Sequence, residues 1–328
     1  MATAIAVRPI SKVAAHDFAR DLDLTDDELH YLLDLTERVK RAPSKFTRAL
    51  SGKYISLLFE KPSLRTRLTF ELAIKQLGGD SVTCEGPVGG GREPLKDVAR
   101  NLDRWVNGIV ARTFLQSTIE ALAEWSSAPV INALSDMYHP CQALADVFTL
   151  REQFGELRGI KLAFVGDGNN VAHSLLLAAA CVGGRITVAS PPGYEPKPEV
   201  VGRALVIAAR TGATIEITND AVAAVAGAAA VYTDVWASMG QESEAAERRV
   251  IFAPYQVNET LMALAAPDAL FMHCLPAHRG EEVTAGVMDS PQSIVFDQAE
   301  NRLHVQKAIL LLLLGGAARR FSARSAHA

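Results

Sequence analysis

The sequence predicts an α/β protein of two domains, each a parallel sheet flanked by helices, the second doubly wound and Rossmann-like, joined by two interdomain helices. Three observations predict it. Strand-like apolar runs alternate with helical periodicity along nearly the whole chain, which is how repeated βαβ units read. A length of 328 residues is too great for one ordinary core and suits two domains of roughly 150 residues each. Polar side chains cluster just after the strands, where open parallel sheets bind their ligands.

The elements follow in order. Leu24-Thr25-Asp26-Asp27-Glu28 opens a helix, because Thr25 can cap it and Glu28 stands at the capping-box position; periodicity then runs to about 39. Next come a strand at 54–59, a helix at 63–76, a strand at 81–84, a helix at 95–106, a strand at 108–112, a helix at 118–125 and a strand at 130–134. A helix over 139–154 ends at Gly155 and Gly159, which punctuate the domain boundary. The second series has strands at 161–165, 185–189, 214–217, 230–233, 269–272 and 293–296, with helical stretches between most of them and a last helix at 299–314. The expected divisions are 1–150, 151–300, and a C-terminal helix and tail over 301–328 that packs back on the first domain. No internal repeat is evident.

Composition narrows the function. At 49% hydrophobic and 21% charged the chain is of the globular type, neither disordered nor fibrous. A net charge of -4 with no basic stripe argues against nucleic acid. The longest apolar run, about 221–232, is Ala- and Gly-rich and falls short of the roughly 20 residues that span a bilayer, so no membrane partner is expected. Residues 1–15 carry Arg8 and Lys12 and no apolar segment of about 7 to 15 residues with a cleavage site, so no secretory signal is expected. Cys84, Cys141, Cys181 and Cys274 lie far apart with no C-x-x-C pair, which reads as reduced thiols in a cytoplasmic protein and gives no metal site.

The polar clusters carry the chemistry. In Phe59-Glu60-Lys61-Pro62-Ser63-Leu64-Arg65-Thr66-Arg67 a strand-to-helix turn brings hydroxyls, guanidinium and backbone N–H groups to a helix N-terminus, where phosphate binds; the plain alternative is a capped helix with solvated arginines. His139-Pro140-Cys141-Gln142 puts His139 and Gln142 three apart on one helix face, able to hold a carbonyl oxygen and an amide. Arg112 ends an apolar strand and there needs an anion or oxyanion. Gly166-Asp167-Gly168-Asn169-Asn170-Val171 fits a dinucleotide fingerprint poorly, since the third glycine position is Val171 and no acidic residue ends the next strand. Asp234-Val235-Trp236-Ala237-Ser238-Met239-Gly240 sets a carboxylate at a strand end before a small turn, which suits an α-amino group. His273-Cys274-Leu275-Pro276 ends a further strand, and its thiol reads equally as reactive or as buried.

Taken together and in this order, these stretches and Glu300-Asn301-Arg302 resemble the aspartate/ornithine carbamoyltransferase superfamily, its ornithine-specific members in particular, from about 16 to 313. The resemblance implies transfer of the carbamoyl group of carbamoyl phosphate to the side-chain amine of ornithine. It implies that Ser63, Leu64, Arg65 and Thr66 meet the phosphate end, and that Arg112, His139 and Gln142 surround the carbamoyl group. Cys274, Leu275 and Arg302 complete that pocket, with Arg112, His139 and Cys274 as catalytic residues. Asn170, Asp234, Ser238 and Met239 would hold ornithine, with both halves facing a common cleft. The family further implies a cis Leu275-Pro276 bond, a homotrimer or a multiple of trimers, and no cofactor. Two departures stand out: Leu64, associated with enzymes for acylated ornithine, and a glycine-rich 86–92 that lacks a glutamine usual in carbamoyl phosphate binding. Competing readings are therefore a carbamoyltransferase for N-acetylornithine, N-succinylornithine or putrescine, a nucleotide-binding dehydrogenase or sensor built on the Gly166-Asp167-Gly168 turn, and an inactive paralogue.

Overall fold

The computed structural model describes residues 13–88, 93–238 and 241–315; Met239, Gly240 and positions 89–92 of the glycine-rich loop lie outside them. The chain forms two compact units, one running to Leu144 and resuming at Arg302, the other Ala145–Asn301.

In the first unit the order is α1 (Asp26–Arg41), β1 (Tyr54–Phe59), α2 (Leu64–Gln76), β2 (Asp80–Glu85), α3 (Leu95–Trp105), β3 (Gly108–Arg112), α4 (Gln116–Trp125), β4 (Val130–Leu134) and the start of α5 (Pro140–Phe154). The capping box of α1 forms as predicted: Thr25 accepts from the Glu28 N–H while the Glu28 carboxylate takes the Thr25 N–H. Its strands pair in parallel in the order β2-β1-β3-β4. Strand β3 is buried throughout, as is expected of a parallel strand covered on both faces. Leu58, Ile109, Ala111, Ile119, Leu122 and Val130 pack as one core.

The second unit continues with β5 (Lys161–Val165), α6 (Asn170–Cys181), β6 (Arg185–Ala189), α7 (Pro198–Thr211), β7 (Thr214–Thr218), α8 (Ala221–Val225), β8 (Ala230–Thr233), α9 (Ala245–Phe252), α10 (Glu259–Met262), β9 (Leu270–His273), α11 (Ala285–Met288) and α12 (Val295–Leu314). Here the parallel order is β7-β6-β5-β8-β9. Helix α6 is apolar apart from Asn170, His173 and Ser174 and buries every residue from Val171 to Cys181. The chain passes from one unit to the other within α5 and returns at Arg302 in α12.

One predicted strand does not form. The run at 293–296 contributes a single bridge, Ser293 to Phe271, and from Val295 the chain is helical to Leu314, so among the described residues this sheet has five strands rather than six. A short apolar run reads equally as a buried strand or as a buried helix end, and here the long apolar helix that follows captures Val295 and Phe296. Other boundaries shift by a residue or two, as helix ends and strand ends do. Among the described residues no helix is long and apolar enough to cross a membrane.

Candidate active site

Both strand orders reverse once, and ligand crevices form where they do. In the first unit β1 lies between β2 and β3, so the switch falls between the carboxyl ends of β1 and β3. The β1 end leads into Ser63 and α2, and the β3 end is Arg112, with Phe59 and Arg112 in register. A register shift between Ala111 and Arg112 sets Arg112 against Leu134 instead of Ala133. Such an irregularity re-aims a side chain beside a functional site.

The groups meeting at this switch point are those singled out in the sequence. Thr66, in the first turn of α2 and 1% exposed, accepts at Oγ1 from Arg112 Nη1 at 3.2 Å and from Arg302 Nη2 at 2.7 Å. A hydroxyl has two acceptor positions and one proton. With both positions occupied by guanidinium N–H groups, the Thr66 proton has no acceptor among the described residues and is available to an oxygen of a ligand. Ser63 occupies the N-cap position of α2, yet its hydroxyl makes no capping bond, so the capped-helix alternative does not describe this turn. Arg67 pairs with Glu85 and Glu71 along the helix flank, Arg65 is half-buried, and Leu64 is exposed. His139 and Gln142 are buried at the start of α5, where the Gln142 N–H donates to the His139 carbonyl at 3.0 Å. Burial, reinforced by the positive charges of Arg302 and Arg112, holds His139 well below the usual imidazole range, so it is neutral at physiological pH. Cys141 is structural: burial pushes its thiol up to about 12, and it donates to the Asn132 carbonyl.

In the second unit the switch lies between β5 and β8. From the end of β5 comes Gly166-Asp167-Gly168-Asn169-Asn170; from the end of β8 comes Asp234. They are tied directly, Asn169 Nδ2 donating to Asp234 Oδ2 at 2.9 Å. Asn169 also caps α6, its side-chain oxygen accepting from the Val171 and Ala172 N–H groups that a pyrophosphate would need. Gly168 packs so tightly that a Cβ there would fall 2.2 Å from Pro196 N, which accounts for the glycine without any nucleotide. Asn170 is half-buried in the first turn of α6, and Ser238 is half-buried with its N–H on Gln241 Oε1 at 2.9 Å. Met239 lies outside the described residues.

Cys274 follows β9 in this same unit and donates its thiol to Asp234 Oδ1 at 3.0 Å. The next residue, Leu275, is held at φ 60°, a conformation that is costly for a residue with a Cβ, and its bond to Pro276 is cis, as the resemblance implied. Its N–H donates to His273 Nδ1 at 2.8 Å, and His273 Nε2 bonds Glu282 Oε1 at 3.2 Å, both side chains fully buried. Asp234, His273 and Cys274 come close enough to share a cation, but both His273 ring nitrogens are already bonded within the protein.

Glu282 and Arg248 escaped the sequence reading. Arg248 stands in Glu247-Arg248-Arg249, a charge run that reads as a solvated helix face, yet its side chain is 7% exposed and bonds Asp167 and Glu244. The one signal was Glu244 four residues before it.

Comparison with known proteins agrees with this geometry. The carbamoyl-P binding domain of the aspartate/ornithine carbamoyltransferases matches residues 16–152, and their Asp/Orn binding domain matches 158–313. The chain is 52% identical to an ornithine carbamoyltransferase of Parafrankia sp. over 92% of its own length and 97% of the relative's. One from Thermococcus kodakarensis is 51% identical, covering 94% and 99%. The ornithine carbamoyltransferase structure from Pyrococcus furiosus superposes with a TM-score of 0.90 at 48% identity, over 94% of this chain and 99% of that one. With both domains matched in order and half the residues shared, the chain belongs to the aspartate/ornithine carbamoyltransferase family.

Proposed function

We propose that the chain transfers the carbamoyl group of carbamoyl phosphate to the side-chain amine of L-ornithine, giving L-citrulline and phosphate. The observation that carries this is the Thr66 hydroxyl, which receives two guanidinium donors and keeps its own proton at the helix end of the first unit. That arrangement suits an anion next to a polarised carbonyl oxygen. Carbamoyl phosphate has both.

Ser63, Leu64, Arg65 and Thr66 take the phosphate end, Leu64 through its backbone, while Arg112, His139, Gln142 and Arg302 take the carbamoyl group and the Thr66 proton also reaches the carbamoyl oxygen. As the amine attacks, negative charge builds on the carbamoyl oxygen, where a preorganised donor contributes ~3 kcal/mol. The new C–N bond forms, the C–O bond to phosphate breaks with its electron pair leaving on the phosphate oxygen, and the proton shed by the attacking nitrogen goes to that phosphate. The neutral His139 serves as a hydrogen-bond donor rather than as a cation. An amine of pKa ~10.4 must first lose a proton, which at pH 7 costs on the order of 4 to 5 kcal/mol. Cys274 is the group assigned to that end of the amine. Asn170, Asp234, Ser238 and Met239 hold the amino-acid end of ornithine. The Asp234 carboxylate, 5% exposed and bonded by Asn169 and Cys274, suits a positively charged α-amino group, which an acylated amine does not offer.

A homotrimeric assembly is supported by an exposed apolar stripe on α2: Leu64, Leu68 and Leu72, at 67%, 43% and 45% exposure, are four residues apart and share one face. Cytoplasmic residence is supported by four free thiols, of which Cys84 is exposed. The test offers ornithine, N-acetylornithine, N-succinylornithine and putrescine side by side with carbamoyl phosphate. Ornithine should exceed the others in kcat/KM by at least about two orders of magnitude, the worth of one buried charge pair. A preference for an acylated amine would overturn the reading.

A further inference from the structure

A buried guanidinium that the reaction does not use sits between the two segments that carry the amine site. Arg248, on α9, donates from Nη1 to the Asp167 carboxylate and to the Trp236 carbonyl, each at 2.9 Å, and from Nε to Glu244 Oε2 at 2.9 Å. Its plane lies over Tyr194 at 4.9 Å and near Phe252 at 5.8 Å. Tyr194 in turn accepts the Gly168 N–H at 2.8 Å, and Phe252 stacks on Trp236 at 6.1 Å. Three stretches of chain, at 166–170, 194–196 and 235–238, therefore converge on one side chain. A planar fork of five donors can hold them at fixed angles where a lysine, a point charge on a flexible stem, cannot.

Their positions relative to Asp234 matter. Asp167 precedes Asn169, which bonds the Asp234 carboxylate, by two residues, and Trp236 follows Asp234 by two. Arg248 thus ties together both backbones that flank Asp234 without touching it. Buried ion pairs contribute little net stability compared with apolar packing, and their best-attested use is to fix one arrangement among several.

We propose that Arg248 is a positioning residue for the amine substrate, locking the 235–238 segment to the Gly166-Asp167-Gly168 turn so that Asp234 and Ser238 keep the spacing an α-amino acid requires. The proposal rests on the reading of Asp234 and Ser238 as the ornithine site. The lock carries its own pH dependence. Asp167 faces Arg248 on α9, Asp234 after β8 and Glu244 just before α9; burial pushes its carboxyl up to about 6, against the attraction of Arg248. Below that pH the carboxyl takes up a proton and the charge-assisted bond to Arg248 is lost.

The experiment measures KM for both substrates in R248Q, R248K, D167N and D234N. R248Q should raise the ornithine KM at least about tenfold while leaving that for carbamoyl phosphate within about twofold, the split expected when only one substrate's binding is loosened. R248K should recover part of the loss. Binding of 2-aminopentanoate, which is ornithine without its terminal amine, should weaken in the parent as pH falls from about 7 to about 5.5, and D167N should flatten that dependence. If R248Q does not fold, the isosteric D167N carries the same test of ornithine KM. Unchanged ornithine KM in folded R248Q and D167N, or equal rises in both KM values, would overturn the lock. D234N separates the two ideas: if it leaves the ornithine KM unchanged, the assignment of the amine site fails first.

Discussion

Replacing Thr66 by valine exchanges a hydroxyl for a methyl of similar volume, so a side chain that is 1% exposed keeps its packing and loses only its polarity. Three interactions go with it: the bond from Arg112 Nη1 at 3.2 Å, the bond from Arg302 Nη2 at 2.7 Å, and the proton held ready for substrate. Each bond to a charged donor contributes about 1.5–3 kcal/mol, but a guanidinium has other N–H groups that can re-pair, so a net cost to the folded protein of about 2 kcal/mol is expected. That corresponds to a fall in Tm of roughly 4–8 °C. The larger effect is on chemistry. Losing one donor to the developing oxyanion costs ~3–4 kcal/mol, a drop in kcat of about two to three orders of magnitude. Thr66→Ser, which restores the hydroxyl, should return to within about tenfold of the parent. The assay is citrulline formation with carbamoyl phosphate varied at saturating ornithine, alongside thermal unfolding of both variants. If Thr66→Val keeps kcat/KM for carbamoyl phosphate within about threefold while Tm falls, the hydroxyl only aligns the arginines, and the argument from its unused proton is wrong.

Two further outcomes are expected. His139 stays neutral in the folded protein because burial and the charges of Arg302 and Arg112 disfavour its cation, so its imidazole 15N shifts should not change between about pH 8 and pH 6. The unfolded chain does take up that proton below about 6.5, so stability should decline as pH falls past that value; an imidazole that titrates near 6.5 in the native protein would contradict this. Leu68→Asp places a charge in the middle of the α2 stripe and should reduce the mass seen by light scattering to that of one chain, with helix content unchanged; an unaltered mass would exclude this face from the assembly.

The alternation of strand-like runs with helical periodicity, the strand positions and the polar residues at the strand ends are local properties, so they were legible in the sequence. That is why Ser63, Thr66, Arg112, His139, Asn170 and Asp234 stand out as candidates without any knowledge of contacts. The α1 capping box, a contact between residues three apart, was legible for the same reason. Where local pattern is ambiguous it does not decide: Ser-Ile-Val-Phe at 293–296 carries the same apolar signal whether it ends a sheet or opens a helix, and only the packing of α12 decides. Strand order was decided by tertiary structure, and with it the two switch points that bring Thr66 to Arg112 and Asn169 to Asp234. So were the approach of Arg302 to a hydroxyl 236 positions away and the burial of Arg248 in a run that reads as solvated. Hydrophobic periodicity records which face of an element meets the core. It does not record which distant element lies opposite, because that depends on how whole sheets and helices pack, and long-range pairs of polar groups are a consequence of that packing.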